Sequence, residues 1–171
     1  MKRRILSLIC IVSLALTVLC GCGKGKVGSR VGDRCPSLDL VGLYGDTVNI
    51  KDYRGKVVVI NLWGTWCPPC REELPYFDAV ADKYCDDVAV IAVHSSSNNG
   101  ALLGYAATYF RDSRIVFAYD TADDEYYGLV GGTLYYPRTV ILDKNGVITY
   151  AADGGMTYAQ LVSEIEKAKS K

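Results

Sequence analysis

Histidine is almost absent from this sequence, because His94 is the only one among 171 residues. A structural zinc site needs four ligands, and one histidine with a single Cys-x-x-Cys pair falls short of that set. Lysine and arginine total 19, equal to the 19 acidic residues, and no basic stripe follows the first few positions. The composition therefore argues against a structural zinc site and against a nucleic-acid-binding surface.

No apolar run reaches the roughly 20 residues that cross a bilayer comfortably. The run over residues 5–19 contains three hydroxyl residues, follows the basic Lys2, Arg3 and Arg4, and precedes small residues. This pattern is typical of a secretory signal peptide, which we predict over residues 1–21. An uncleaved N-terminal membrane anchor is the alternative, and both interpretations place the domain outside the cytoplasm.

Residues 19–22, Leu-Cys-Gly-Cys, resemble a bacterial lipoprotein box, in which cleavage before Cys22 leaves a lipid on that thiol. Residues 24–29 are rich in glycine and lysine, a composition typical of a flexible linker. We therefore predict a lipidated tether over residues 22–30 and one domain over residues 31–171. The protein would be anchored to the cell membrane from the extracytoplasmic side.

Residues 66–70 read Trp-Cys-Pro-Pro-Cys and closely follow the apolar run Val57–Trp63. The run predicts a buried strand, and Pro68 suits the first turn of a helix. Cys67 would then lie at a helix N-terminus, where unpaired backbone N–H groups and the helix dipole favour an anion. A thiolate is the anion that attacks disulfides, so this placement predicts redox chemistry.

Two cysteines, Cys35 and Cys85, lie outside both the leader and the motif. One interpretation is two separate, inert and partly buried thiols, because a free cysteine is commonly a small buried apolar residue. The other is a Cys35–Cys85 disulfide, which an oxidising compartment would permit.

Apolar periodicity predicts strands over residues 38–40, 47–50, 57–63, 88–93 and 115–119. A hairpin is predicted from residues 139–142 and 147–151 across the turn marker Asn145-Gly146. Helices are predicted from Pro68 onward, over residues 102–110 and over residues 158–168, with one or two helical turns over residues 123–129. This order predicts an α/β fold with a mixed central sheet flanked by helices.

Several segments resemble the thioredoxin-fold TlpA/ResA-like proteins: residues 31–33, 53–59, 61–75 and 137–143. The resemblance extends over nearly the whole predicted domain. It implies a thioredoxin-like fold with an N-terminal β-hairpin extension, in a membrane-tethered, extracytoplasmic thiol–disulfide oxidoreductase. It implies no cofactor beyond a redox-active Cys67–Cys70 disulfide.

The resemblance also implies a role for each site residue. Cys67 would attack the substrate disulfide, and Cys70 would resolve the mixed disulfide. Pro137 would be the cis-proline that keeps the backbone opposite Cys67 open for an extended substrate, and Tyr136 would line that docking groove. Substrate contacts are therefore expected at Trp66, Pro68, Tyr136 and Pro137.

Three polar residues, Asn61, Glu73 and His94, are also expected near the motif or at the end of a neighbouring strand. Glu73 lies three residues after Cys70 on the same helix face, where it would shuttle a proton or tune the thiols, unless it is an exposed helix carboxylate. Asn61 stands where classical thioredoxins carry a buried aspartate, so it would hydrogen-bond near the disulfide without exchanging a proton. His94 ends a predicted strand, and a solvated loop position is expected for it.

Members of this family mostly reduce disulfides in exported proteins such as apocytochrome c, with electrons from a membrane protein of the CcdA/DsbD type. The resemblance implies the same partners here. A peroxiredoxin-like thiol peroxidase is one alternative, although no Pro-x-x-x-Thr-x-x-Cys spacing is present. A non-catalytic copper-binding protein of the same fold is another.

Overall fold

The computed structural model describes residues 25–37, 39–95, 99–120, 129 and 135–171. Its seven strands are β1 (Asp39–Gly42), β2 (Thr47–Asn49), β3 (Val57–Trp63), β4 (Val88–His94), β5 (Val116–Tyr119), β6 (Arg138–Leu142) and β7 (Ile148–Asp153). The helices are α1 (Pro68–Lys83), α2 (Asn99–Tyr109) and α3 (Tyr158–Lys169), and a short 3-10 helix spans Ile50–Tyr53.

The two central strands are continuous apolar runs because both of their faces are covered. Every residue of β3 and of β4 is buried. The strands pair in parallel from Val57 beside Val88 to Trp63 beside His94. Both strands therefore end at the same edge of the sheet, and the residues that follow them meet there.

One mixed sheet contains all the strands in the order β2-β1-β5-β4-β3-β6-β7. β3, β4 and β5 run parallel, and β6 and β7 form an antiparallel hairpin beside β3. The β1–β2 hairpin joins the other edge through β5. The predicted mixed sheet with an N-terminal hairpin is thus confirmed.

Side chains of β3 alternate between two hydrophobic clusters, as the period of a strand requires. Val57, Val59 and Trp63 face the cluster that contains the apolar residues of α1, α2 and α3. Val58, Ile60 and Leu62 face the opposite cluster, which includes Cys35 and Leu129. Asn61 shares the parity of Val59 and Trp63, so its amide points towards the helices.

Cys35 and Cys85 are unpaired in the structure: Cys35 is a buried free thiol and Cys85 a partly buried one. The interpretation as two separate thiols is therefore confirmed, and the alternative disulfide is wrong. Burial raises the pKa of Cys35 to about 12, so this thiol stays protonated and unreactive at neutral pH.

Three predictions concern residues outside the described ranges: the signal peptide, the lipid site at Cys22 and most of the helical turns expected over residues 123–129. None of the helices in the part of the chain that the structure describes has the length and hydropathy that a bilayer crossing needs.

Candidate active site

Cys67 and Cys70 form a disulfide at the beginning of α1, with their Cα atoms 5.3 Å apart. A short turn after β3 delivers Cys67 to the N-cap of the helix, and its sulfur accepts a hydrogen bond from the Cys70 N–H at 3.4 Å. Pro68 occupies the first helical position, as predicted. The first sulfur thus lies where the helix end stabilises negative charge.

The exposed surface beside the disulfide is aromatic. Trp66 is 61% exposed, whereas Cys67 is 3% exposed and Cys70 is fully buried. The Trp66 indole folds back over Gly64, where an added Cβ would lie 2.7 Å from the ring, so only glycine leaves room for this pose. The ring also meets Tyr136 edge-on, with centroids 5.4 Å apart. Trp66 and Tyr136 therefore form one continuous aromatic surface next to Cys67.

Pro137 follows a cis Tyr136–Pro137 peptide bond. It immediately precedes Arg138, which pairs with Leu62 near the C-terminal end of β3. Because Cys67 follows that same end of β3, the proline loop and the dithiol lie at one edge of the sheet. The structure brings Tyr136 and Pro137 to the place where the sequence predicts a docking groove.

Glu73 is a buried carboxyl group, only 2% exposed, on the inner face of α1. Its Oε1 accepts a hydrogen bond from Asn61 Nδ2 at 2.8 Å, and its Oε2 accepts one from the Met156 N–H at 2.9 Å. Burial raises the pKa of Glu73 above its ordinary value of 4.5, and the two hydrogen bonds oppose that rise. The alternative of an exposed helix carboxylate is wrong for Glu73 but correct for its neighbour Glu72.

His94 is a correction to the sequence prediction, because it is 1% exposed rather than solvated. Its Nε2 accepts a hydrogen bond from the Thr65 N–H at 3.1 Å, which requires the neutral imidazole with its proton on Nδ1. The ring also packs edge-on against Trp63, with centroids 5.3 Å apart. His94 thereby holds the turn that carries Cys67 into the helix.

We expect His94→Phe to destabilise the protein by about 1–3 kcal/mol, because the ring remains but the Thr65 N–H loses its acceptor. His94→Gln places an amide oxygen near the position of Nε2, so it is the matched control and costs less. Urea unfolding of both variants measures the difference. Equal stability of the two variants would show that the bond to Thr65 contributes no more than the ring contact with Trp63, which His94→Gln loses.

The redox pair at a helix N-terminus, the cis-proline beside it and the mixed sheet together define a thioredoxin-fold thiol–disulfide oxidoreductase. Across residues 30–168 the sequence matches the Redoxin family. The chain belongs to this family.

Relatives agree with this class. Thioredoxin-like protein YneN of Bacillus subtilis is 32% identical over 146 residues, which cover 84% of this chain and 83% of that protein. Thiol-disulfide oxidoreductase ResA of Geobacillus thermodenitrificans is 30% identical over 168 residues, or 98% of this chain and 94% of that protein. The crystal structure of a putative thiol:disulfide interchange protein DsbE from Chlorobium tepidum superposes with a TM-score of 0.71 at 25% identity, covering 81% of this chain and 97% of that one.

The site also contains partners that the sequence analysis missed. Beyond His94 and Thr65, these are the Met156 N–H and Thr139, whose hydroxyl lies 3.4 Å from Asn61 Nδ2. One signal was available for His94, because a residue that ends a strand parallel to β3 reaches the same edge of the sheet as Cys67. No sequence signal links Met156 to Glu73, because 83 positions separate them.

Proposed function

We propose that this protein is a membrane-tethered, extracytoplasmic oxidoreductase that reduces disulfides in exported proteins. The observation that carries the proposal is the Cys67–Cys70 pair at the N-terminus of α1, beside the exposed Trp66. The N-cap position of Cys67, one turn before the buried Cys70, supports Cys67 as the thiol that reacts first.

The proposed reaction begins with both thiols reduced. The Cys67 thiolate attacks one sulfur of the substrate disulfide, which forms a mixed disulfide and releases the other substrate sulfur as a thiolate that takes up a proton. Cys70 then loses its proton and attacks Cys67, which re-forms the Cys67–Cys70 bond and releases the second substrate thiolate. Two electrons pass from the enzyme dithiol to the substrate disulfide.

Glu73 is the proposed acceptor for the Cys70 proton, directly or through water. It lies one turn after Cys70 on the same face of α1. Both side chains are buried in the domain. A carboxyl group with a raised pKa retains a proton more readily than an exposed one, which suits a group that accepts a proton and later returns it.

The motif favours the reducing direction. An oxidising dithiol owes its potential to a strongly stabilised thiolate in the reduced form. Here Pro68 and Pro69 have no backbone N–H, so the first helical turn offers Cys67 fewer donors than a turn without proline. Within the described residues, the hydrogen bond that the Cys67 sulfur accepts in this turn comes from the Cys70 N–H. A less stabilised thiolate makes the pair a better reductant.

The cellular setting of the proposal rests on the N-terminal sequence. A signal peptide over residues 1–21, a lipid on Cys22 and a tether over residues 22–30 would hold the domain, residues 31–171, at the outer side of the cell membrane. Oxidised enzyme then needs a new electron pair, which a membrane donor of the CcdA/DsbD type would supply. Apocytochrome c is a proposed client, since its haem-binding cysteines must be reduced.

Titration of the Cys67–Cys70 couple against glutathione buffers tests the direction. We expect a potential nearer to the value of about −270 mV for thioredoxin than to the value of about −120 mV for a strong oxidant of this fold. A potential near the oxidant value would reject the reducing role. A pair that cannot be reopened by reductant would reject the oxidoreductase mechanism altogether.

A further inference from the structure

A cavity of about 460 Å³ lies at the opposite end of the sheet from the dithiol. Its lining comes from the segment before β1 and from the segment before β3, and the Cys35 N–H bonds to the Gly146 carbonyl in the β6–β7 turn. That turn is beside the beginning of β3, whereas Cys67 follows its end. The length of β3, about 20 Å at ~3.3 Å per residue, separates the two sites.

Positive charge dominates the described lining of this cavity: it contains Arg34, Lys51 and Arg54 and no acidic side chain. Among the described residues, no carboxylate forms an ion pair with any of these three groups, whereas Arg114 pairs with Asp82 on the same end of the molecule. Three neighbouring like charges without counter-charges repel one another, and an anion between them would remove that repulsion.

Two of the cations have defined positions. The Arg54 guanidinium lies against the backbone of Gly146, where even an added Cβ would collide with it. The Arg34 Nε atom is buried and lacks a hydrogen-bond partner in the described part of the chain. Leaving a buried donor without an acceptor is unfavourable, and an oxyanion that enters the cavity would satisfy it through the guanidinium fork.

The position of the cavity along the chain indicates what anion reaches it. Val27 lies on its rim, and residue 27 is five positions after Cys22. Five extended residues span at most about 18 Å. A lipid on Cys22 would therefore keep the cavity close to the phosphates of the bilayer, with the basic Lys24 and Lys26 between them.

We infer that the cavity lined by Arg34, Lys51 and Arg54 binds the phosphate headgroup of an anionic lipid and docks the domain on the membrane. This inference rests on the proposed lipid tether. Docking at this end of the sheet directs the dithiol away from the bilayer, towards exported substrates. Each cation near an anionic surface strengthens the association about fivefold, since it contributes ~1 kcal/mol.

The test uses the full-length protein in nanodiscs that carry a headgroup-linked gadolinium chelate. One set of discs contains phosphatidylcholine alone, and the other also contains phosphatidylglycerol. We expect the amide NMR signals of Arg34 and Arg54 to broaden much more in the phosphatidylglycerol discs than in the neutral ones, where the tether alone keeps them near the bilayer. The equilibrium constant for docking follows from the extent of broadening.

Lys51→Gln removes one exposed cation and is expected to lower that constant about fivefold. Arg114→Gln is the matched control, because it removes the same charge from an ion-paired guanidinium outside the cavity. Disulfide reduction in solution should not change in either variant. If Lys51→Gln and Arg114→Gln lower the docking constant equally, any positive charge at this end of the domain attracts the membrane and the cavity has no specific role. That result would overturn the inference.

Equal broadening in neutral and anionic discs, or broadening centred on Trp66, would also overturn it. If the protein dissociates from both kinds of disc, the proposed tether is wrong. Titration with water-soluble dihexanoyl phosphatidylglycerol then tests separately whether the cavity binds the lipid headgroup. Signals at Arg34 and Arg54 that shift with this lipid more than with inorganic phosphate support the cavity. An equal response to inorganic phosphate rejects the lipid assignment.

Discussion

Cys70→Ser should trap the enzyme on its substrate as a stable mixed disulfide through Cys67. The variant retains the attacking sulfur at the N-terminus of α1 but lacks the thiol that releases the product. Turnover should fall roughly a thousandfold or more, as it does when one member of a catalytic unit is removed. The complex with disulfide-bonded insulin is separated on a non-reducing gel. Mass spectrometry of that complex then identifies which enzyme cysteine is joined to the substrate.

Cys67→Ser should abolish turnover without trapping, because the remaining Cys70 sulfur is fully buried. The matched control is Cys85→Ser, which exchanges the same atoms at a partly buried free thiol and should leave activity unchanged. Trapping by Cys67→Ser instead of Cys70→Ser would reverse the assigned roles.

Glu73→Gln should slow turnover about tenfold. This is less than the ~10²–10⁴-fold loss that is common when a general base is removed, because water can also accept a thiol proton. The raised pKa of Glu73 means that its carboxylate appears at higher pH than that of an exposed glutamate. The rate should therefore rise with pH through this raised pKa in the wild type, and this limb should flatten in Glu73→Gln.

Glu72→Gln supplies the control, since it makes the same change at an exposed neighbour. A pH–rate profile that Glu73→Gln leaves unchanged would remove Glu73 from the mechanism.

The pH dependence of the free energy of unfolding provides an independent check on the pKa of Glu73. Because the folded-state pKa is raised, the contribution of Glu73 to stability is complete below its unfolded pKa and declines as pH rises towards the folded value.

Local patterns were sufficient for the elements that carry the site. β3 and β4 are buried on both faces, so their sequences are uninterrupted apolar runs, and Asn145-Gly146 marks the β6–β7 turn. The spacing of Cys67 and Cys70 identified the redox pair and the end of the helix on which it lies. These features could be predicted because each depends only on residues that are close together in the sequence.

Burial of polar groups was harder to predict, because it depends on distant segments. His94 ends a strand at a polar cluster, which is typical of a loop entrance, yet the adjacent strand brings Trp63 and Thr65 over it. Glu73 is buried, and the Met156 N–H that bonds to it comes from a segment 83 positions later in the sequence. Tertiary packing decided both environments.

Cys67 and Cys70 belong to the same hydrophobic cluster as Trp63 and Phe77, and this membership links redox state to folding. When the disulfide opens, two sulfur atoms within this packed cluster must separate. The free energy of unfolding must therefore differ between the oxidised and reduced proteins. By a closed thermodynamic cycle, that difference equals the gap between the reduction free energies of the native and the unfolded cysteine pair, so calorimetry on the two forms reports how the fold sets the electron affinity of its sulfurs.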